Sequence, residues 1–399
     1  MRFKNIFVKE ILDSRSEPTI EVCLLSDDDK NFCAQIPSGK SRGANEASVF
    51  SPDRVKKSLE NVKQELIGKN FNSTEELDAF LLKTDNTPKK EKLGGNFILG
   101  ISIAGARAMA AEYKQELWQF LRDEFFKENN KENSPLIFSN LINGGAHAKN
   151  NLSIQEYLVV TETNTNLKES IENLKTIYNA LGNELKKSGQ LDELPLGDEG
   201  GFSTNFNDDF QPLKILEHLI VALGFEDKMK LGLDVAANNF YQQNYYKLGG
   251  KKLSAEDLVK IYQEYFSKIN LLFSLEDPFA ETDFEAFRKL RLRMPDALII
   301  GDDLTTTNPK TIRESAEKGL INGVIIKPNQ IGTITETILA IKAARSNNLK
   351  VIISHRSGET DDVFIIQLAK ACGADGVKIG APVRERLLKF GELIRIYQN

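Results

Sequence analysis

Two different patterns of hydrophobic and polar positions divide the chain. Residues 1 to about 50 contain three short β-like runs, FKNIFVKEI, TIEVCLL and NFCAQI, separated by turn-prone Asp, Ser, Pro and Asn. Helical periodicity follows over roughly 54–67, 73–83, 97–115 and 115–127. The second helical segment, STEELDAFLLK, opens with a Ser-x-x-Glu capping box. Strands followed by helices predict a small α+β domain built on a three-stranded antiparallel meander.

Beyond the polar stretch KENNKENSP at 127–135, apolar runs alternate with amphipathic segments. This stretch is the predicted linker, so we expect an N-terminal domain over 1–133 and a second domain over 134–399. The first interval between run ends is 42 residues and includes a hairpin-like insertion around QQNYYKLGGKK; the later intervals are 26, 25, 28 and 23 residues. The runs are MKLGLD ending at Asp234, LLFSLE at Glu276, LIIGD at Asp302, GVIIK at Lys327, VIISH at His355 and DGVK at Lys378.

The later intervals suit one strand, one loop and one helix per unit. Such alternation predicts parallel strands with right-handed crossovers, either in an open sheet or in a closed barrel. A polar residue recurs at the end of every run, which is where barrel active sites are built. We therefore predict an α/β fold: a (β/α)8-type TIM-like barrel preceded by the smaller α+β domain.

Composition narrows the possible partners. The 399 residues include 52 basic and 57 acidic side chains, a net charge of −5, which gives no reason to expect nucleic acid. The N-terminus lacks the uninterrupted apolar stretch of a signal peptide, and the most apolar helix, 97–111, is too short to cross a bilayer and contains Arg107. Cys23, Cys33 and Cys372 form no CxxC pair. We expect three reduced thiols in a cytoplasmic protein without membrane contact.

The residues at the ends of the runs could each have an ordinary role, as a helix cap, an ion-pair partner or a buried histidine. Their convergence on one barrel face is costly without a ligand, and this favours an active site. Three carboxylates, Asp234, Glu276 and Asp302, describe an oxygen-ligand site that suits Mg²⁺ better than zinc. Lys327 is the candidate base, with a pKa lowered by neighbouring cations. Lys378 is equally compatible with clamping a substrate anion.

Three further segments could reach this face. NGGAHAKNNLSIQEY contains His147 and, eight and nine residues later, Gln155 and Glu156, so the chain can turn and return to one site. LPLGDEGGF places Asp198 and Glu199 before a glycine pair, although an acidic turn is an alternative explanation. PSGKSRG at 37–43 could act as a lid in which Ser41 offers a hydroxyl to a metal, or be a surface turn.

At this point the sequence resembles the enolase family over almost its whole length. The resemblance lies in motifs that occur in the family's order: ILDSRSEPTIEV, PSGKSRGANEA, LGGNFILGISIAGARA, NGGAHAKNNLSIQEY, LGDEGGF, LEDPF, GDDLTTTN, IKPNQIGTITE, SHRSGETDD and KIGAP. NQIGT and SHRSGET are long enough that chance is not a serious explanation. The resemblance implies a Mg²⁺-dependent lyase that dehydrates 2-phosphoglycerate to phosphoenolpyruvate in glycolysis and catalyses the reverse reaction in gluconeogenesis.

The resemblance also implies roles for individual residues. Lys327 takes the proton from C2, and Glu199, assisted by Glu156, protonates the C3 hydroxyl. The implied metal ligands are Asp234, Glu276 and Asp302 for one Mg²⁺ and Ser41 for a second. Substrate carboxylate and phosphate are bound by His147, Gln155, Arg356, Ser357 and Lys378, with His355 in support. A homodimer is implied, in which Glu21 meets Arg395 of the neighbouring subunit, though a surface ion pair is an equally simple explanation.

Some positions depart from the family pattern. The lid usually reads S-G-A-S-T-G, whereas Lys40 and Arg42 flank Ser41 here and add positive charge beside the second metal position. The other departures are Asn238 and Asn239 in place of Ser-Glu, Ile379 in place of Thr, RER at 384–386 in place of RSER, and a shorter chain. Two alternatives therefore stay open: a paralogue acting on another carboxylate substrate, and a binding or scaffold protein with little catalysis.

Overall fold

A computed structural model describes residues 1–40, 43, 45–127, 134–163 and 166–398. The chain begins with a three-stranded antiparallel sheet in the order β1-β2-β3. Its strands are β1 (Phe3–Leu12), β2 (Pro18–Ser26) and β3 (Asn31–Ile36). One face of β2 buries Ile20, Val22 and Leu24 completely, because alternate side chains of a strand point to opposite faces. This confirms the predicted meander.

Four helices cover that face: α1 (Pro52–Leu66), α2 (Thr74–Asp85), α3 (Gly95–Glu112) and α4 (Leu117–Phe125). The Ser73 side chain caps α2 by accepting from the Glu76 N–H at 3.1 Å. The central helix α3 lies directly on the sheet, and a Cβ at Gly100 would lie only 2.4 Å from Cγ2 of Val22. A small residue is therefore needed where helix and sheet meet. The α+β character of this part of the chain agrees with the pattern-based prediction.

The second part is a closed barrel of eight strands in the order β10-β11-β12-β13-β14-β4-β5-β6. The six apolar runs form six of these strands, and neighbours among them are parallel, as predicted. The strands are β4 (Leu136–Asn143), β5 (Glu156–Thr161), β6 (Met229–Asp234), β10 (Leu272–Glu276), β11 (Leu298–Gly301), β12 (Gly323–Ile326), β13 (Lys350–Ser354) and β14 (Gly376–Ile379). The predicted barrel is confirmed.

One strand departs from the all-parallel expectation. Strand β5 runs antiparallel to both β4 and β6. The 144–155 connection between β4 and β5 turns the chain back at the same end of the barrel instead of crossing over through a helix. The predicted return of the chain over this segment is thus a hairpin, and it places Glu156 directly opposite Asp234.

Helices surround the barrel, and the predicted insertion after β6 forms a small antiparallel sheet. The helices are α5 (Leu167–Gly189), α6 (Gln211–Ala222), α7 (Ala255–Lys268), α8 (Phe284–Arg293), α9 (Pro309–Glu317), α10 (Pro328–Ile331), α11 (Ile334–Ser346), α12 (Phe364–Cys372) and α13 (Arg386–Tyr397). The insertion comprises β7 (Tyr241–Gln242), β8 (Tyr245–Leu248) and β9 (Lys251–Leu253). Within the described ranges, no helix is long and apolar enough to cross a membrane.

The cysteine prediction was wrong for two of the three residues. Cys23 of β2 and Cys33 of β3 are directly opposite in the antiparallel register, and they form a disulfide. Opposite residues of an antiparallel pair lie close enough for a bridge, a relationship that depends on strand register and not on sequence spacing. Cys372 is buried and remains a thiol, as expected.

The predicted domain boundary and dimer contact stay predictions. Residues 128–133 of the proposed linker lie outside the described ranges, which resume at Ser134. Glu21 and Arg395 both have partners within the chain: Glu21 accepts from Gln35, and Arg395 donates to Glu116 and Glu392. The homodimer pairing of Glu21 with Arg395 would have to compete with these contacts.

Candidate active site

The carboxyl ends of the barrel strands bring the predicted site residues together. Asp234 and Glu276 end the neighbouring strands β6 and β10 and are paired in register. Asp302, Lys327 and His355 directly follow β11, β12 and β13. One pocket at this end is lined by Gly39, His147, Gln155, Glu156, Glu199, Asp234, Ala236, Asn239, Asp277, Asp302, Asp303, Lys327, Ser354, His355, Arg356, Ser357 and Lys378. Glu276 lies behind Lys378, and Ser41 lies outside the described residues.

Lys378 lies at the centre of a cluster of three carboxylates. Its Nζ lies 2.9 Å from Asp234 Oδ2, 2.7 Å from Glu276 Oε1 and 3.2 Å from Glu156 Oε2. Burial lowers the pKa of Lys378, but these carboxylates outweigh it and hold the pKa well above its usual range. Burial and Asp234 together raise the pKa of Glu276 far above normal, even against Lys378. The single positive charge of Lys378 therefore does not neutralise the three carboxyl groups around it.

Lys327 is the second lysine of the pocket that is paired with a carboxylate. It forms a close ion pair with Asp302, whose other oxygen accepts from Gln330 Nε2 at 3.2 Å. Burial lowers the pKa of Lys327, but the charges of Asp302 and Glu276 raise it, and the net pKa lies above its usual value. The expectation of a lowered pKa is not met among the protein's own charges, because the opposing effects of Arg356 and Lys378 are smaller than that of Asp302. Compensation of the Asp302 charge by another group would lower the pKa of Lys327, because burial, Arg356 and Lys378 all act in that direction.

A further cluster of acids contains two residues for which the sequence predicted no role, Asp277 and Asp303. Asp277, Asp302 and Asp303 place carboxylate oxygens within 4.8 Å of one another. Asp277 is left-handed (φ 40°) and turns back so that its carboxylate accepts from the backbone N–H groups of Asp302 and Asp303 at 2.9 and 2.7 Å. Burial and then Asp302 raise the pKa of Asp303 to about 7. The acidic dipeptides in LEDPF and GDDLTTTN were the available sequence signal for these two residues.

Next to Lys378 in the pocket, His147 lies between the carboxyl groups of Glu156 and Glu199. Its Nδ1 lies 3.6 Å from Glu156 Oε1 and 3.4 Å from Glu199 Oε1, and Asn140 Nδ2 donates to Glu199 at 2.9 Å. Burial and Glu199 raise the pKa of Glu156 to about 7. Burial also raises the pKa of Glu199, but His355, His147 and Lys378 lower it more.

The two carboxyl groups therefore differ in protonation. His355 cannot supply positive charge near neutral pH, because burial holds its pKa well below normal. Burial lowers the pKa of His147, but Glu199 and Glu156 raise it more, so the net pKa is higher than usual. At neutral pH, we assign the low pKa of Glu199 to His147 and Lys378. Glu156 is thus the member of the pair that is partly protonated near neutral pH, and Glu199 is ionised.

The remaining predicted residues form the wall after β13. Arg356 is buried and donates to Glu46 Oε2 at 3.1 Å and to Asn329 Oδ1 at 3.0 Å. A Cβ at Gly39 would lie 1.7 Å from Nη2 of Arg356, so the backbone of the N-terminal segment lies directly on this guanidinium group. Ser357 Oγ accepts from the Lys40 N–H at 3.0 Å. Glu46 lies within the PSGKSRGANEA motif, but no role was predicted for it, because its partner Arg356 follows 310 residues later in the chain.

Comparison with known proteins agrees with this geometry. Residues 3–121 match the family model described as the enolase N-terminal domain, and residues 132–399 match that of the enolase C-terminal TIM barrel domain. The chain is 39% identical over 401 residues to the enolase of Campylobacter lari (97% of this chain, 95% of that one). It is 36% identical over 408 residues to the enolase of Methanocaldococcus jannaschii (99% and 95%).

This chain belongs to the enolase family. It is therefore an enzyme, a phosphopyruvate hydratase, and the resemblance stated from the sequence is confirmed. The lyase class is likewise confirmed, and both family domains are present.

Two departures from the usual enolase pattern have clear partners in the structure. Asn239 Nδ2 donates to Gln155 Oε1 at 3.0 Å, and this orients the Gln155 amide, whose Nε2 lies 3.4 Å from Asp234 Oδ2. Asn238 Nδ2 donates to Asp303 at 3.3 Å, while its Oδ1 accepts from the Glu281 N–H at 2.9 Å. Both asparagines are therefore part of the network that holds the pocket of this enolase.

The shortened RER segment is also accommodated. Arg386 is completely buried and donates to the backbone oxygen of Ser357 at 3.1 Å. Arg384, two residues earlier, adopts a left-handed backbone (φ 55°), which turns the chain into α13. The charge of Arg386 thus supports the loop that carries Ser357.

Proposed function

We propose that this enolase dehydrates 2-phosphoglycerate to phosphoenolpyruvate in glycolysis and catalyses the reverse reaction in gluconeogenesis. The observation that supports this most is that one pocket holds two lysines, the partly buried Lys327 and the buried Lys378, together with the buried cluster of His147, Glu156 and Glu199. Removal of a proton next to a carboxylate and loss of a hydroxyl group need such a base and such an acid on opposite sides of the substrate.

We assign the base to Lys327. It lies at the end of β12, is held by Asp302, and faces the pocket beside Arg356. As a base it must be neutral, which requires that Asp302 lose its hold on the ammonium proton. Asp302 is also one of the proposed metal ligands, so binding of a cation there and activation of Lys327 are linked.

The leaving hydroxyl at C3 would receive its proton from the group formed by Glu199, Glu156 and His147. Glu156 is partly protonated near neutral pH, since its pKa is about 7, and Glu199 is the ionised partner. His147 lies within 3.6 Å of both carboxyl groups and can relay a proton between them after a small movement. We propose Glu199 as the residue that faces the hydroxyl and Glu156 as its source of the proton.

The anionic ends of the substrate would be held by the wall after β13 and by the centre of the barrel. Arg356 and Ser357 offer a guanidinium group and a hydroxyl at the same loop, and Lys378 offers an ammonium group from β14. Gln155 and His147 add neutral or protonated donors from the β4–β5 hairpin side. Arginine and lysine suit phosphate and carboxylate because they give charge-assisted hydrogen bonds.

The carboxyl groups of the site fit a divalent cation. Among the described residues, the buried acids at the ends of β6, β10 and β11 form close ion pairs with Lys378 and Lys327. Burial and the charges of neighbouring acids raise the pKa values of Glu276, Asp277 and Asp303. An all-oxygen donor set of this kind suits Mg²⁺. We propose Asp234, Glu276 and Asp302 as ligands of one ion and Ser41 as a ligand of a second. When bound, these ions would neutralise the negative charge that builds up on the substrate carboxylate.

We propose the homodimer on the family resemblance and the division at residues 133 and 134 on the polar stretch at 127–135; the cytoplasmic location also stays a proposal. The pairing of Glu21 with Arg395 of a second subunit is the specific contact in the proposed dimer, and sedimentation of the purified protein measures its oligomeric state.

The activity itself is tested by mixing the purified protein with 2-phosphoglycerate and Mg²⁺ and following the ultraviolet absorbance of the conjugated enol product. A rising signal that is lost on chelation of Mg²⁺ supports the proposal. A folded protein, verified by circular dichroism, that gives no signal would refute it and leave the paralogue and scaffold alternatives.

A further inference from the structure

Lys40 follows the glycine that lies on Arg356, and its side chain extends to the opposite wall of the pocket. Its Nζ lies 3.1 Å from Oδ2 of Asp198, the residue immediately before Glu199. Its backbone N–H donates to Ser357 Oγ at 3.0 Å. One residue of the N-terminal domain thus contacts both the loop that carries the substrate-binding residues and the loop that carries Glu199.

The backbone on each side of this contact is anchored. Ser38 exchanges two backbone hydrogen bonds with Gly358, at 2.8 and 2.9 Å, and its hydroxyl donates to Asp13 at 2.6 Å. On the other wall, the Asp198 N–H donates to the backbone oxygen of His147 at 3.2 Å. The ion pair therefore connects two loops whose backbones are hydrogen-bonded to the rest of the protein on either side of the pocket.

The ion pair is only partly exposed on the carboxylate side. The side chain of Lys40 is 47% exposed and that of Asp198 is 22% exposed. An ion pair of this exposure contributes little to global stability. Its location matters more, because the two loops that it joins carry Ser357 and Glu199, and displacement of these groups weakens the binding of the substrate.

We propose that Lys40 is a positioning residue of this enzyme that acts through Asp198. By holding that carboxylate, it keeps the 37–40 segment across the pocket and keeps the backbone of Glu199 and the side chain of Arg356 at the distance that the bound substrate requires. The kinetic part of this inference rests on the proposed function. The structural part, the joining of the two walls, does not.

The test compares Lys40→Gln, Asp198→Asn and the double variant in the full-length protein. Each single variant is expected to raise KM for 2-phosphoglycerate by about threefold to fivefold, the range that a partly exposed ion pair allows, while kcat changes by less than about twofold. The double variant is expected to match the single variants, because the first substitution already removes the contact. Lys40→Arg, which keeps the charge, is expected to recover most of the affinity.

Amide hydrogen exchange provides a readout that is independent of activity. Both single variants are expected to exchange the amides of Ser38 to Lys40 faster by about threefold, since the Lys40 N–H donates to Ser357 only while the segment is held. Lys228→Gln is the control, because Lys228 is about as exposed as Lys40 and forms an ion pair with Glu169 at 2.8 Å far from the pocket. It should alter neither KM nor the exchange of this segment.

Three outcomes would overturn the proposal. If the effects of Lys40→Gln and Asp198→Asn on KM multiply, the residues act independently. If only Lys40→Gln raises KM, Lys40 binds the substrate directly and not through Asp198. If neither variant changes exchange, the contact does not hold the segment. A wild-type protein without activity on 2-phosphoglycerate refutes the proposed function, and the exchange measurement still decides the structural part.

Discussion

The Nζ atom of Lys378 lies 2.7 Å from Oε1 of Glu276, although the two residues belong to strands β14 and β10 on opposite sides of the barrel. The contact crosses the barrel mouth and links the proposed metal ligands to the proposed substrate clamp. The raised pKa of Glu276, which is due to burial and to Asp234, shows that this single ammonium group leaves negative charge uncompensated. A divalent cation at this position would supply the missing charge.

Removal of the Glu276 charge is therefore expected to weaken Mg²⁺ binding. Mg²⁺ should raise the melting temperature of the wild-type protein, because a ligand that binds only the folded state stabilises it. Glu276→Gln should shift the midpoint of this effect to at least about tenfold higher Mg²⁺ concentration. Thermal melts at increasing Mg²⁺ measure the shift. Glu281→Gln, a substitution of a half-buried carboxyl group after β10, is the control; equal midpoints for both variants would contradict the ligand assignment.

A second prediction concerns the contact between the N-terminal domain and the barrel. Asp78 of α2 is completely buried and accepts from the Thr335 N–H at the start of α11 at 2.8 Å. Burial raises its pKa to about 6 from 3.8. A carboxyl group with a raised folded-state pKa contributes stability that is fully present below pH 3.8 and is lost as the pH rises through about 6.

Asp78→Asn should remove this pH dependence. Between pH 4 and pH 7, the free energy of unfolding of the wild type should fall by roughly 2.4 kcal/mol relative to that of the variant. Urea unfolding at several pH values measures the difference, with the exposed Asp53→Asn as control. Parallel pH profiles for the wild type and Asp78→Asn would show that Asp78 does not titrate in this range.

The disulfide gives a third prediction. The protein unfolded without reductant should present one reactive thiol, Cys372, and three after reduction. The bridge closes a short loop, with a sequence separation of 10, so Cys33→Ser should lower the free energy of unfolding by roughly 2–3 kcal/mol under oxidising conditions. Under reducing conditions the loss should be smaller. Three reactive thiols before reduction would instead support the original expectation of reduced cysteines.

The relation between sequence and structure differs from element to element. The six runs that end at Asp234, Glu276, Asp302, Lys327 and the two later positions were predictable, because each is a buried parallel strand with a continuous apolar pattern. The antiparallel β5 was not, since its burial is as continuous as that of a parallel strand and its direction depends on the 144–155 connection. Periodicity reports burial, not strand direction.

The site residues likewise fall into those that the sequence could place and those that it could not. Residues at strand ends could be placed on one barrel face from spacing alone, and the pocket contains most of them. Glu46 and Asp198 could not be placed in this way, because their partners, Arg356 and Lys40, are distant in sequence and meet them only through tertiary packing. The Cys23–Cys33 bridge likewise depends on the β2–β3 register.

The central claim is that Lys327 removes the C2 proton and that the group formed by Glu199, Glu156 and His147 expels the C3 hydroxyl. Substrate deuterated at C2 of 2-phosphoglycerate tests this claim most directly. In ordinary water with Mg²⁺, mass spectrometry of recovered substrate measures the loss of deuterium separately from product formation. With Glu199→Gln, the substrate should still lose deuterium, but at least about a hundredfold less product should form. With Lys327→Ala, the substrate should neither lose deuterium nor form product at a comparable rate, because general acid–base groups typically contribute such factors. Loss of deuterium in Lys327→Ala at the wild-type rate would contradict this account.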